Sequence, residues 1–425
     1  MDIFITADTA GVWKVESSEG SFYVGINNFA AVAERLIFES GELNIKLKNP
    51  KKFKSPNETL ELIKLYVTAY QNYNRFRQPD LLTLNNYIDN LAEILHRKKG
   101  VGTYEGLKLL MDNKPIVFVG AGPSLNDSIA EIEKIARMDT GIVVAAGSAG
   151  RILFNKNIIP HAMIAIDPFD SEWDNVFSHI DPERTKHTIL ICKGDLNPKC
   201  LKIWRGPIVF GGGLSDVSMI GEIDGIPTWP DLSVGCSTSF LSLLQNYIRP
   251  KEVVLVGFDL AYEKVGDTLY TYADPDLINL YDVETVKGIP TRALWEVEAL
   301  SISNLCAMMG RCIVYRQTTV SRQVYPISNT ISRDALKSLT WTLNSKYKEV
   351  PLNIDFKQAL ERLDSCKEII AKSTPDQECL GGWSVILKSL SMKEVDKEKF
   401  VSDVKTYMLN KLNELRNILQ GEGRE

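Results

Sequence analysis

The chain has 425 residues, of which 44% are hydrophobic and 24% charged, and a net charge of −5. That length buries a full core without disulfides or metals, which excludes a stapled mini-protein, a collagen-like fibre and a disordered tail as the main reading. With 49 basic against 54 acidic side chains, the chain lacks the broad positive field of a nucleic-acid binder.

The seven cysteines, at 192, 200, 236, 306, 312, 366 and 379, form no Cys-x-x-Cys pair. Their odd number and wide spacing fit reduced thiols in the cytoplasm. The opening MDIFITADTA has no basic stretch, so no secretory signal is expected. The longest apolar stretches, near Gly141–Gly150 and Gly206–Ser215, are too short to cross a bilayer. These features predict a soluble cytoplasmic protein with no membrane span and no nucleic-acid partner.

Residues 1–112 read as an accessory region, strands first and helices after. Val12–Val15 and Phe22–Val24 flank Ser17-Ser18-Glu19-Gly20, a hairpin signal. The run Lys46, Lys48, Lys51, Lys52 and Lys54 reads as a solvated loop, with contact to an acidic partner as the sharper alternative. From 57 the period changes: Leu60, Ile63, Val67 and Tyr70 share a helical face, as do Leu84, Ile88, Leu91 and Leu95.

Residues 113–330 read as an α/β domain. Short apolar runs at Ile116–Val119, Ile142–Ala145, Ala162–Ile166, Thr188–Cys192, Pro207–Phe210 and Val253–Val256 alternate with helical patterns. Such alternation predicts a mostly parallel, Rossmann-like sheet covered by helices. Residues 331–425 read as a helical region, with stripes at Phe356, Leu360, Leu363, Lys367 and Ile370 and at Phe400, Val404, Met408, Leu412, Leu415 and Leu419. They predict a packed appendage, or alternatively a dimerising arm.

Five segments of the middle region carry chemistry. In Val119-Gly120-Ala121-Gly122-Pro123-Ser124-Leu125 a buried strand meets two glycines and then a helix, where a phosphate can approach free N–H groups. Leu125 breaks the dinucleotide pattern Gly-x-Gly-x-x-Gly, and no Walker loop follows. Ala145-Ala146-Gly147-Ser148 is a second strand opening into small residues. There Ser148 binds a ribose or phosphate, or caps its helix. Asp167 ends the third strand, as a ligand for a sugar hydroxyl, nucleobase or metal, or as a turn residue.

Ser233-Val234-Gly235-Cys236-Ser237-Thr238 precedes an apolar helix. Its cysteine is a nucleophile candidate by position, but with no histidine near in sequence it reads as a packing residue. Gly257-Phe258-Asp259-Leu260-Ala261-Tyr262 ends a very apolar strand in an acid and a tyrosine, with Tyr270 and Tyr272 following. A tyrosine donating to a leaving phosphate is one role, and packing beneath a loop is the other. His96, His161, His179 and His187 are not spaced as metal ligands. No Gly-x-Ser-x-Gly elbow is present.

In this order, the segments resemble the motility-associated factor (Maf) family of bacterial flagellin glycosyltransferases, whose core is related to the archaeal 6-hydroxymethylpterin diphosphokinase (MptE-like). The same core is similar to the smaller bacterial sialyltransferases that use CMP-sialic acid. The matching pieces are Gly120–Leu125, the small residues at 145–149, Ile158-Ile159-Pro160 leading to Ile166-Asp167-Pro168, Ser233-Val234, and Gly257–Tyr262.

The resemblance implies transfer of a nonulosonic sugar from a CMP donor to a Ser or Thr of flagellin or another surface protein, with no cofactor required. It implies that Gly120, Gly122, Pro123 and Ser124 cradle the phosphate, and that Ser148, beside Gly147, and Asp167 line the nucleoside or sugar pocket. It further places Ser233 at the sugar carboxylate and Tyr262 at the departing phosphate. The chain departs from the pattern in having no histidine after His187 and Ala121 in place of an asparagine, so Asp259 or Asp267 is the candidate base. Two alternatives are an MptE-like diphosphokinase using ATP and Mg²⁺, with Asp167, Asp170 and Asp259 as metal carriers, and a non-catalytic partner-binding protein.

Overall fold

The computed structural model describes residues 2–7, 12–17, 20–25, 44–53, 56–57, 60, 63–64, 79–97, 100–212, 226–227, 229, 235–265, 268–271, 284–286, 289–291, 293–309, 313–317, 330–331, 336, 347–372 and 397–422. Ser233, Val234, Asp267, Tyr272, Ser18, Glu19, Lys54, Val67, Tyr70, Cys312 and Cys379 lie outside the described residues.

The chain forms two compact units, residues 1–79 with 383–397 and residues 80–382 with 398–425. The first holds β1 (Asp2–Ala7), β2 (Val12–Ser17), β3 (Gly20–Gly25) and β4 (Asn44–Lys48) in the order β3-β2-β1-β4. The expected hairpin is there: β2 and β3 pair antiparallel, with Ser17 opposite Gly20. Alternation sends Ile3, Ile5, Ala7, Trp13, Val15 and Ile45 to the buried face, where Trp13 meets Phe53. On the other face Lys46 pairs with Asp2, and Lys48 pairs with Glu16 and lies over the Phe4 ring. Two of the five lysines of the basic run are therefore in a strand rather than a loop, and the charges of those two are neutralised locally.

The second unit is built on a parallel sheet of β5 (Val101–Gly102), β6 (Pro115–Val119), β7 (Ile142–Ala146), β8 (Ala162–Ala165), β9 (Ile189–Lys193), β10 (Ile208–Gly211), β11 (Glu252–Val256) and two later strands. The small hairpins β12 (Glu263–Val265) with β13 (Thr268–Tyr270) and β14 (Glu284–Val286) with β15 (Ile289–Thr291) precede those last two, β16 (Ile313–Gln317) and β17 (Thr330–Ile331). The strand order is β17-β16-β11-β6-β7-β8-β9-β10-β5 and every pairing is parallel.

The helices of this unit are α1 (Pro79–His96), α2 (Tyr104–Met111), α3 (Ile129–Met138), α4 (Gly147–Asn155), α5 (Asp170–Asn175), α6 (Pro198–Ile203), α7 (Cys236–Asn246), α8 (Ala293–Met308), α9 (Phe356–Lys372) and α10 (Lys397–Glu422). The strands are apolar throughout because both faces are covered. Ile116, Phe118, Ile142, Val144, Ile164, Val253 and Leu255 pack with Leu107 of α2, Phe240 and Leu244 of α7 and Ile302 of α8. Their alternates Val117, Val119, Val143, Ala145, Val254 and Val256 pack with Ile132 and Ile135 of α3 and Ile152 and Leu153 of α4. This is the expected doubly covered α/β architecture.

Both expected boundaries of the middle region shift. The later helical part of residues 1–112, from α1 through β5 to α2, belongs to the α/β unit, while Leu60 and Ile63 fall in the first unit. The C-terminal helices belong to it as well. Tyr407 of α10 donates to Asn85 of α1 at 2.7 Å, and Arg416 of α10 pairs with Asp364 of α9. The sheet edge at β5 is covered by the segment 347–351, through Thr103 N to Val350 O (2.9 Å) and a bridge between Gly102 and Pro351. The α10 stripe holds, with Met408, Leu412, Leu415 and Leu419 buried.

Candidate functional site

Strand order reverses at β6. The chain runs from it through β7, β8 and β9 to β10 on one side, and returns as β11 and β16 on the other. Open α/β sheets take ligands beyond the carboxyl ends of the strands at such a reversal. The loops after β6 and β11 meet there. Gly120 N donates to Val256 O, Gly122 N to Gly257 O, and Ser124 N to Asp259 Oδ2, each at 2.8 Å.

The glycines answer to this contact. Gly257 has φ of +72°, a conformation that favours glycine. A Cβ on Gly122 would strike Asp259 Oδ2 and stand 2.6 Å from Gly257 O, and one on Gly120 would stand 2.7 Å from the same oxygen. Gly120, Gly122, Pro123 and Ser124 were expected to present a phosphate cradle. Instead three of their amides are spent inside the protein, and Pro123 has no N–H. Asp259 stands at the strand mouth as expected, but holding the Ser124 amide. Tyr262 is buried (1% exposed), with its ring 5.0 Å from that of Trp295 and its N–H donating to Pro290 O. It is packed beneath the loops rather than set at an open mouth.

A second group of strand ends lies beside the first. Gly147, with φ of +30°, opens α4, which has no side-chain cap on its first N–H groups. Ser148, half-buried, follows it. A side chain on Gly147 would begin 3.8 Å from both Cys236 Sγ and Glu172 Oε1. Cys236 opens α7 and bonds the backbone of Ile166, just past β8. The amino ends of α4 and α7 and the carboxyl end of β8 therefore converge. Asp167 follows Ile166, and its Oδ1 accepts from Phe169 N at 3.0 Å, which is the turn role.

Burial governs protonation here. It pushes the Glu172 carboxyl up to about 8, and the Asp167 carboxylate adds to the shift. Burial also raises the Glu298 carboxyl, against a hydrogen bond from Ser237. The Cys236 thiol is raised well above its ordinary value by burial and then by Glu172, Asp167 and Glu298. The helix end does not make it a thiolate, so the packing role applies.

Side chains that the sequence reading passed over hold this edge in place. Asn86 and Asn90 of α1, both buried, reach into the loops after β8 and β9. Asn86 Nδ2 donates to Pro168 O and Asp195 O, and Asn90 Nδ2 to Gly194 O and Leu196 O. Lys193 and Asp195 form a buried ion pair at 3.0 Å at the end of β9. One signal was available: two asparagines four residues apart, and so on one face, in the helical stretch Pro79–His96.

His161 sits at the opposite, amino end of the sheet, accepting from Val143 N at 3.1 Å through Nδ1. Among the described residues no group of three or more His, Cys, Asp or Glu is placed to hold a metal ion. The three acids expected as magnesium carriers are separately engaged. Asp170 bonds Lys199 and Asn197, Asp259 bonds Ser124 N, and Asp167 bonds Phe169 N. They do not form a ligand set.

Residues 85–265 match the family model described as 6-hydroxymethylpterin diphosphokinase MptE-like. Over those residues the chain is similar to that family. The matched segment contains the strand reversal, the Gly120–Asp259 interlock, and Gly147, Asp167, Glu172 and Cys236. Glu298 and β16 lie beyond it. The chain is also similar to a solved structure of a MAf glycosyltransferase from Magnetospirillum magneticum AMB-1, at 12% identity and a TM-score of 0.45, over 94% of this chain and 68% of that one. No curated protein matches the chain. No helix among the described residues is long and apolar enough to cross a membrane.

Proposed function

We propose that the protein is a glycosyltransferase that moves a sugar from a nucleotide donor, a CMP-linked nonulosonic acid, to a hydroxyl of a protein acceptor such as flagellin. The observation that carries this reading is the convergence of α4 and α7 with the end of β8. The start of α4, with no side-chain cap on its N–H groups, lies beside the acid Glu172, which in turn feels the Asp167 carboxylate. Helix amino ends favour phosphate, and carboxylates bind sugar hydroxyls. In the transfer, the acceptor oxygen attacks the anomeric carbon while the bond to the nucleotide phosphate breaks. Negative charge grows on that phosphate, and N–H groups already aimed at it stabilise the transition state without rearranging.

In this arrangement the Gly120–Ser124 turn and Asp259 form the rigid wall of the pocket, and Tyr262 supports it from below. Calorimetric titration with CMP, UDP and ATP tests the reading. CMP is expected to bind selectively, and selective binding of another nucleotide would refute it.

The MptE-like match favours a second reading, diphosphoryl transfer from ATP. It also needs a phosphate seat at this mouth. It predicts ATP binding strengthened by Mg²⁺, whereas the acids of the described residues stand apart rather than in a ligand set.

A further inference from the structure

We propose that Glu172 is a specificity-determining residue of this pocket: as a neutral acid it donates a hydrogen bond to the anionic group seated at the amino end of α4, and once ionised it repels that group. The inference rests on the nucleotide-binding reading and adds a residue and a proton linkage to it.

Three observations support it. Glu172 Oε1 is buried and has no hydrogen-bond partner. It points to the first residue of α4, 3.8 Å from where a Gly147 side chain would begin, and α4 has no side-chain cap. Its surroundings favour the neutral acid at neutral pH. Burial acts first and the Asp167 carboxylate second. The other groups facing it do not oppose this. Cys236 of α7 and Cys200 of α6 are thiols raised by burial and by Glu172 itself. On the flanking elements, Lys199 is bonded to Asp170, and Arg151 of α4 donates to Asn175 O. A carboxylic acid with one oxygen unpaired at a helix amino end is a donor waiting for an acceptor. Phosphate supplies one, and on binding it raises the proton affinity of the acid further.

The test uses CMP as the probe. Its phosphate has a second ionisation near about 6, so its charge is constant from about pH 7 to about pH 9. Wild-type affinity should fall by roughly tenfold over that interval, as Glu172 loses its proton near about 8. CMP binding at about pH 8 to 9, where Glu172 of the free protein is partly ionised, should take up protons, read as a dependence of the calorimetric heat on the ionisation enthalpy of the buffer. Glu172→Gln keeps a donor but cannot ionise. It should bind CMP with no pH slope, no Glu172-linked proton uptake, and higher affinity than wild type at the alkaline end.

A flat wild-type profile without proton uptake overturns the proposal, as does an unchanged slope in Glu172→Gln. The proton uptake needs no variant, so it decides the matter even if Glu172→Gln fails to fold. If ATP rather than CMP binds with the Glu172-dependent slope, the transferase reading fails and this proposal stands. If CMP binds without the slope, the reverse holds. If no nucleotide binds, both fail.

Discussion

Replacing Gly122 by alanine separates a glycine needed by the fold from one needed by a ligand. The added Cβ meets Asp259 Oδ2 and the backbone oxygen of Gly257 at 2.6 Å. That oxygen cannot rotate away, because it accepts from Gly122 N on a turn fixed by the φ of +72° at Gly257. Overpacking of this kind costs about 1–3 kcal/mol. Pushing the loops apart also breaks the bond from Ser124 N to a carboxylate, worth about 1.5–3 kcal/mol. Gly122→Ala should therefore lose roughly 3–5 kcal/mol in urea unfolding and on the order of 10 °C in Tm, with no ligand present. Removing the carboxylate as well, in Gly122→Ala/Asp259→Gly, should not restore stability, since the clash with the Gly257 oxygen remains. A loss below about 1 kcal/mol in Gly122→Ala would refute the interlock as the reason for this glycine.

The raised Glu172 carboxyl makes stability fall as pH rises from 4.5 towards about 8, because the unfolded chain releases its proton first. Its contribution to the loss near pH 7 is up to about 3 kcal/mol, and denaturant unfolding of Glu172→Gln should show a correspondingly shallower pH dependence. Lys193→Met should cost about 3–5 kcal/mol by stranding Asp195, and Lys193→Met/Asp195→Leu should recover most of it in urea melts. A double variant no more stable than the single one would contradict that. Native protein treated with iodoacetamide near about pH 8 should leave Cys236 unmodified by peptide mass mapping, because its thiol stays protonated.

The central sheet was legible because strands buried on both faces are written as uninterrupted apolar runs, as in Ile116–Val119 and Val253–Val256. Its margins were not. β5 is two residues long and draws its partners from β10 and from residues near 350, which no local pattern reveals. β16 mixes Tyr315, Arg316 and Gln317 into its run. The glycines after β6 announced a close approach, but what approaches is Gly257 and Asp259, the latter 135 residues beyond the Ser124 whose amide it holds. Glu172 sits in sequence between the acids Asp170 and Asp174 of a short polar helix, and only the fold distinguishes it, by burying one of its oxygens. The division at residue 79 rather than 112 has the same origin: Asn86 and Asn90 reach loops more than eighty residues away.

The location of the phosphate seat is most directly tested by a crystal structure of the protein soaked with CMP. The phosphate should lie within hydrogen-bond distance of the amides of Gly147 and Ser148, with Glu172 against it and the bond from Ser124 N to Asp259 intact. A phosphate bound instead at Ser124 with Asp259 displaced, or a nucleotide away from this edge of the sheet, would contradict the account.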